Sequence, residues 1–88
     1  MYIPNIFSPN GDEKNDKLFV QGKGIDQLTF VIYDRWGEKV FETNDQGTGW
    51  DGTYKGKAMN EAVFVYYLKA AFNDESIVEK KGNLTLVR

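Results

Sequence analysis

The chain has 88 residues, 11 basic and 13 acidic, a formal net charge of −2, and neither cysteine nor histidine. That length makes one domain, and it buries roughly 60–65% of the unfolded surface, enough for a single modest core without staples. The missing cysteines exclude a disulfide framework and thiol chemistry. The missing histidines exclude Ser-His-Asp and Cys-His catalysis and remove the usual transition-metal ligand.

Charges of both signs are interspersed, as in Asp12-Glu13-Lys14 and Glu79-Lys80-Lys81. Nucleic-acid binding leaves a basic footprint, and this chain has none. Its apolar stretches are short, such as Ala62 to Leu68. None approaches the roughly 20 residues of a membrane span.

Helix signals are nearly absent, and alternation with β-branched or aromatic runs dominates. A first strand is predicted at Tyr2–Phe7. Pro4 removes a ladder donor and marks it as an edge strand. A short second strand falls near Leu18–Gln21 and is broken by Gly22-Lys23-Gly24. The third, Gln27–Asp34, places Leu28, Phe30 and Ile32 toward the core, with Val31 and Tyr33 partly covered on the other face.

Arg35-Trp36-Gly37 turns the chain, and Gly37 supplies the positive φ that short hairpin loops require. The fourth strand, Glu38–Thr43, puts Val40 on one face and Phe41 on the other. Asn44 to Asn60 is irregular, with a short strand at Thr53–Tyr54 and a turn at Lys55-Gly56-Lys57. The fifth long strand, Ala62–Phe72, carries large apolar groups on both faces. That suits a strand covered on both sides, or one face in the core and the other against a partner. Asn73-Asp74-Glu75 is a hairpin turn, and the last strand runs Ser76–Val87 with a bulge expected at Gly82.

A helix over Tyr67–Lys81 has some helical spacing, but Asn73-Asp74 interrupts it. Short strands with turns every 8–12 residues describe an all-β fold. The expected architecture is a small antiparallel immunoglobulin-like β-sandwich of about seven strands, residues 1–88 forming one domain.

Two groups of residues could carry chemistry. The loop Asn10 to Asp16 offers Asn10, Asp12, Asn15 and Asp16 as hard oxygen donors for calcium. The competing reading is that these side chains cap their own turn without a metal. Trp36, at a hairpin tip, either folds back under Arg35 as a cation–π pair or anchors a partner. The same choice applies to Trp50, while Asp51 accepts backbone N–H bonds within its turn. Six Phe, five Tyr and two Trp could form a carbohydrate platform, or simply fill a small core. An enzyme reading finds no support. Carboxylate pairs lack a cleft, and Ser8 and Ser76 have no histidine to activate them.

Four pieces in order resemble one family. They are the Phe7-Ser8-Pro9-Asn10-Gly11-Asp12 loop running to Asn15-Asp16, the Tyr33-Asp34-Arg35-Trp36-Gly37 hairpin running to Val40-Phe41, the Gly49-Trp50-Asp51-Gly52 segment running to Gly56, and the final Lys80 to Arg88 strand. The family is the C-terminal sorting domain of Bacteroidetes gliding-motility and surface proteins, the type B signal of type IX secretion. Glu13 stands where the family favours glycine, and Asn60-Glu61-Ala62 replaces a small-residue turn.

The resemblance implies a non-enzymatic signal at the C-terminus of a larger cargo protein, with cargo domains N-terminal in the same chain. Such a domain folds in the periplasm and is recognised as a folded surface by outer-membrane type IX components. Its cargo then goes to the cell surface or is secreted. An inner-membrane signal is expected upstream, so Met1 reads as an added start, and Arg88 as a natural end. On this reading Arg35, Trp36, Gly37, Trp50, Asp51 and Arg88 are the partner contacts, with the strand Leu84–Arg88 as a second docking edge. An Ig-like adhesion or carbohydrate-binding module is the alternative.

Overall fold

The computed structural model describes residues 2–8 and 17–87. They form seven strands: β1 Ile6–Phe7, β2 Ile25–Tyr33, β3 Lys39–Thr43, β4 Thr53–Tyr54, β5 Lys57–Ala58, β6 Ala62–Phe72 and β7 Ile77–Leu86. Five make one sheet in the order β1-β7-β6-β2-β3, and β4 pairs with β5. Every pairing is antiparallel except β1 with β7, which is parallel.

The period-two pattern of β6 sets the layers. Phe64, Tyr66, Leu68 and Ala70 point inward and are buried, while Val63 and Val65 point out. On β2, Leu28, Phe30 and Ile32 sit opposite Ala70, Leu68 and Tyr66. Directly opposed pairs on one face are the unit of sheet stability, so this ladder is the floor of the core. The roof comes from irregular segments. Ile3, Leu18, Val20 and Trp50 close over the floor, tied by the bridges Tyr2↔Gln21 and Leu18↔Trp50. Burying each such side chain is worth about 1.5–3 kcal/mol.

Trp50 is the centre of this packing. Its ring centroid lies 5.1 Å from Phe64, 5.8 Å from Phe7 and 6.5 Å from Phe41. Its indole N–H donates to the Thr53 carbonyl at 2.9 Å, so the one polar atom of the ring is satisfied.

The structure departs from the sequence reading in several places. The run Leu18–Gln21 forms only isolated bridges at its two ends, and β1 pairs parallel with β7 where an antiparallel fold was expected. The first strand is not continuous. Tyr2 exchanges backbone hydrogen bonds with Gln21, whereas Thr85 and Val87 donate to Asn5 and Phe7. Pro4 lies at the crossing between the two ladders, where a missing N–H costs nothing. Val40 and Phe41 do not take opposite faces. The register slips between Ile32 and Tyr33, so that Ile32 faces Phe41 and Tyr33 faces Lys39. The extra residue is Val40, and both side chains reach the core, as a bulge permits. Gly82 is not bulged; its register opposite Tyr66 is regular. A Cβ there would meet the Tyr66 hydroxyl oxygen at 2.8 Å, so the glycine makes room for an inward tyrosine. Val31, expected to be partly covered, is fully buried.

Candidate functional site

The Asp34–Glu38 hairpin tip is the most completely specified surface feature. The Gly37 N–H donates to the Asp34 carbonyl at 3.1 Å, and the Asp34 N–H to the Glu38 carbonyl at 2.9 Å. Gly37 has φ 83°. This is a three-residue loop, a type I turn closed by a left-handed residue. The Asp34 side chain completes it. Its Oδ1 accepts the N–H of Trp36 at 2.8 Å and of Glu38 at 2.9 Å. With the backbone held at four points, the Trp36 ring projects outward and is 80% exposed. The Arg35 guanidinium lies 5.1 Å from that ring's centroid. Beside the tip a shallow cleft of about 260 Å³ is lined by Met59, Asn60, Glu61 and Val63.

Arg35, Trp36 and Gly37, consecutive in the chain, form the exposed tip. Trp50 does not join them. It is 1% exposed, and its ring is engaged in the core, so the partner contact assigned to it is corrected to a packing role. Asp51 is exposed and holds its own turn, with Oδ1 accepting the Thr53 hydroxyl at 2.6 Å and the Thr53 N–H at 3.1 Å. The hydroxyl bond is the main reason its carboxyl titrates below the usual aspartate range. Arg88 and the calcium-donor set Asn10, Asp12, Asn15 and Asp16 lie outside the described residues.

The strand from Leu84 onward is not an open edge. Leu84 and Leu86 are buried, and β1 covers Thr85 to Val87. Among the described residues no strand pairs with the outer edge of Ile77–Asn83. Glu79-Lys80-Lys81 sit in its middle, the kind of charged guard that discourages edge pairing.

One surface was absent from the candidate site residues, although the sequence offered it as a face of the fifth long strand. On the outer face of the five-stranded sheet, Val63 is 52% and Val65 43% exposed. Val65 is flanked by Tyr33 on β2, and Tyr67 follows it on the same face. Tyr67 donates to Glu79 at 2.9 Å, a bond that raises its hydroxyl pKa. The Lys81 ammonium lies 5.6 Å from the Tyr67 ring centroid. The available signal was the alternation of β6, with apolar groups on both faces.

A hydrogen-bonded hairpin tip with an exposed tryptophan thus lies beside an apolar sheet face. The family model described as CHU_C Type IX secretion signal domain matches residues 1–86. The chain belongs to that family, a family of signal domains and not of enzymes. As a secretion signal it implies a cargo chain, the secretion machinery, and export to the cell surface or medium. No curated protein sequence matches the chain significantly. Among solved structures, CopC from Methylosinus trichosporium OB3b is similar at 23% identity and TM-score 0.57, over 80% of this chain and 72% of that one. This likeness concerns the fold. No helix among the described residues is long and apolar enough to cross a membrane.

Proposed function

We propose that this domain is a C-terminal sorting signal read as a folded surface by outer-membrane components of the type IX machinery. It would carry cargo domains on its N-terminal side through the periplasm to the cell surface or medium, with no catalytic step of its own. The observation that carries the reading is the Asp34–Glu38 tip. Its turn is closed by backbone and Asp34 side-chain hydrogen bonds, yet it leaves Trp36 in solvent. Tryptophan and arginine are the favoured anchors of interfaces. Arg35, Trp36 and Gly37 are the proposed first contacts.

The test is a reporter with an inner-membrane signal at one end and this chain at the other, expressed in a bacterium carrying the system. Display of the reporter on the cell surface supports the proposal; retention in the periplasm sinks it. Calcium binding by Asn10, Asp12, Asn15 and Asp16 is a separate proposal resting on donor chemistry. Folded-state binding raises the melting midpoint, reversibly by chelator. Superimposable melts would remove it.

A further inference from the structure

The outer face of the five-stranded sheet is divided into two unlike halves. Register lays it out in rows. Thr85 on β7 faces Val63 on β6, and Ile6 on β1 faces the same Thr85. The next row is Asn83, Val65 and Tyr33, and the next Lys81, Tyr67 and Val31. Beyond these the face turns charged, with Glu79 opposite Lys69. The half nearer the Trp36 tip is thus aliphatic and aromatic along β6 and β2, flanked by Thr85 and Asn83 on β7 and by the Lys39–Glu42 pair on β3. Ile6, Val63 and Val65 are all exposed. Contiguous apolar patches of this kind mark interaction surfaces.

Two cations border the apolar half. Arg35 stands at the tip end and Lys81 at the β7 side. Each sits over an aromatic ring, and neither makes an ion pair among the described residues. Three carboxylates near them have partners of their own. Asp34 holds the turn, Glu38 accepts from the Tyr54 hydroxyl, and Glu79 accepts from Tyr67. In a chain whose net charge is −2, leaving these two cations for something outside sets the sign of the complement. Charge arranged around an apolar centre gives an interface its register and its encounter rate.

We infer that this face, from Trp36 through Val63 and Val65 to Tyr67, docks a folded protein of the secretion machinery whose apolar surface is bordered by carboxylates near Arg35 and Lys81. The inference rests on the sorting-signal reading and extends it from a hairpin tip to one whole half of a sheet face.

The test uses the reporter fusion with three variants of the signal. Val65→Glu puts a carboxylate in the apolar centre. Lys81→Glu reverses a border charge at an exposed position. Ile77→Glu, at the far end of the same face and 63% exposed, is the control. Surface reporter falls about tenfold for the first two, the change that ~1.4 kcal/mol of lost docking produces. It stays within about twofold for Ile77→Glu, and Lys81→Arg retains export. Melting midpoints near the parent's keep the loss from being one of folding, and Lys81→Glu carries the test should Val65→Glu fail to fold.

If the unmodified signal exports nothing, the sorting-signal reading falls and takes this inference with it. If it exports and both variants match it, only the docking face is overturned. Sedimentation of the isolated chain at micromolar concentration gives a monomer. A dimer abolished by Val65→Glu would assign the face to a second copy. Vesicles containing phosphatidylglycerol bind neither parent nor variant; binding lost in Lys81→Glu would assign it to a membrane.

Discussion

The two tryptophans of this domain have opposite fates. Trp50 is 1% exposed and touches three other aromatic rings; Trp36 is 80% exposed and touches one guanidinium. Leaving a large apolar side chain in water forgoes roughly 1.5–3 kcal/mol of burial. A domain of this size has total stability of only about 5–15 kcal/mol. Trp50 thus helps to explain why the chain folds, whereas Trp36 needs a reason outside the fold.

The sharpest way to break this contrast is to remove each ring. Trp50→Ala costs about 3–5 kcal/mol, read by urea unfolding, because it empties the centre of the core. A loss under about 1 kcal/mol would mean the ring is not the keystone. Trp36→Ala changes stability by no more than about 0.5 kcal/mol, the range of ordinary surface substitutions. Its effect appears in export instead. A large stability loss at Trp36 would show that the tip packs after all.

The two hairpin tips sharpen the contrast further. The β2–β3 and β6–β7 turns share one hydrogen-bond pattern, with Glu75 donating to the Phe72 carbonyl as Gly37 does to Asp34. The left-handed residue is Gly37 at φ 83° in the first and Glu75 at φ 70° in the second. Gly37→Ala therefore destabilises by about 1 kcal/mol. Glu75→Gly stabilises by roughly 0.5 kcal/mol, relief of strain slightly exceeding the entropy of the new glycine. Both shifts are readable in thermal melts.

The smallest effects are on pH. Asp51 and Asp74 are held below the usual carboxylate range chiefly by the hydroxyls of Thr53 and Ser76. A depressed folded pKa gives stability that is complete above the unfolded value of about 3.9 and is lost as pH falls through the folded value. The melting midpoint accordingly declines in acid below about pH 4, and Asp51→Asn and Asp74→Asn each flatten that decline. An unchanged acid limb would show that these turn bonds carry no linkage.

Local signals were legible in the sequence. The β6 range, the inward set Leu28, Phe30 and Ile32, and the Asp34–Gly37 turn all follow from alternation and turn chemistry over a few residues. The burial of Trp50 was not legible. It sits among turn residues, and its neighbours Phe7, Phe41 and Phe64 arrive from three distant strands. The crossing at Pro4 and the parallel pairing of β1 likewise depend on long-range partners. The bulge at Val40 hides in an otherwise regular run, and Gly82 looks like a break until Tyr66 is placed opposite it. The outer docking face was half visible. Alternation showed apolar groups on both sides of β6, but only the sheet order shows which side stays open.

On the proposed function, the address is read from a folded contour and not from a string of residues. Quantifying reporter on intact cells for the parent signal and for Trp36→Ala, with matched melting curves, addresses it most directly. A folded Trp36→Ala domain that leaves its cargo in the periplasm is the expected result. Equal display by that variant, or by an unfolded Trp50→Ala signal, would contradict it.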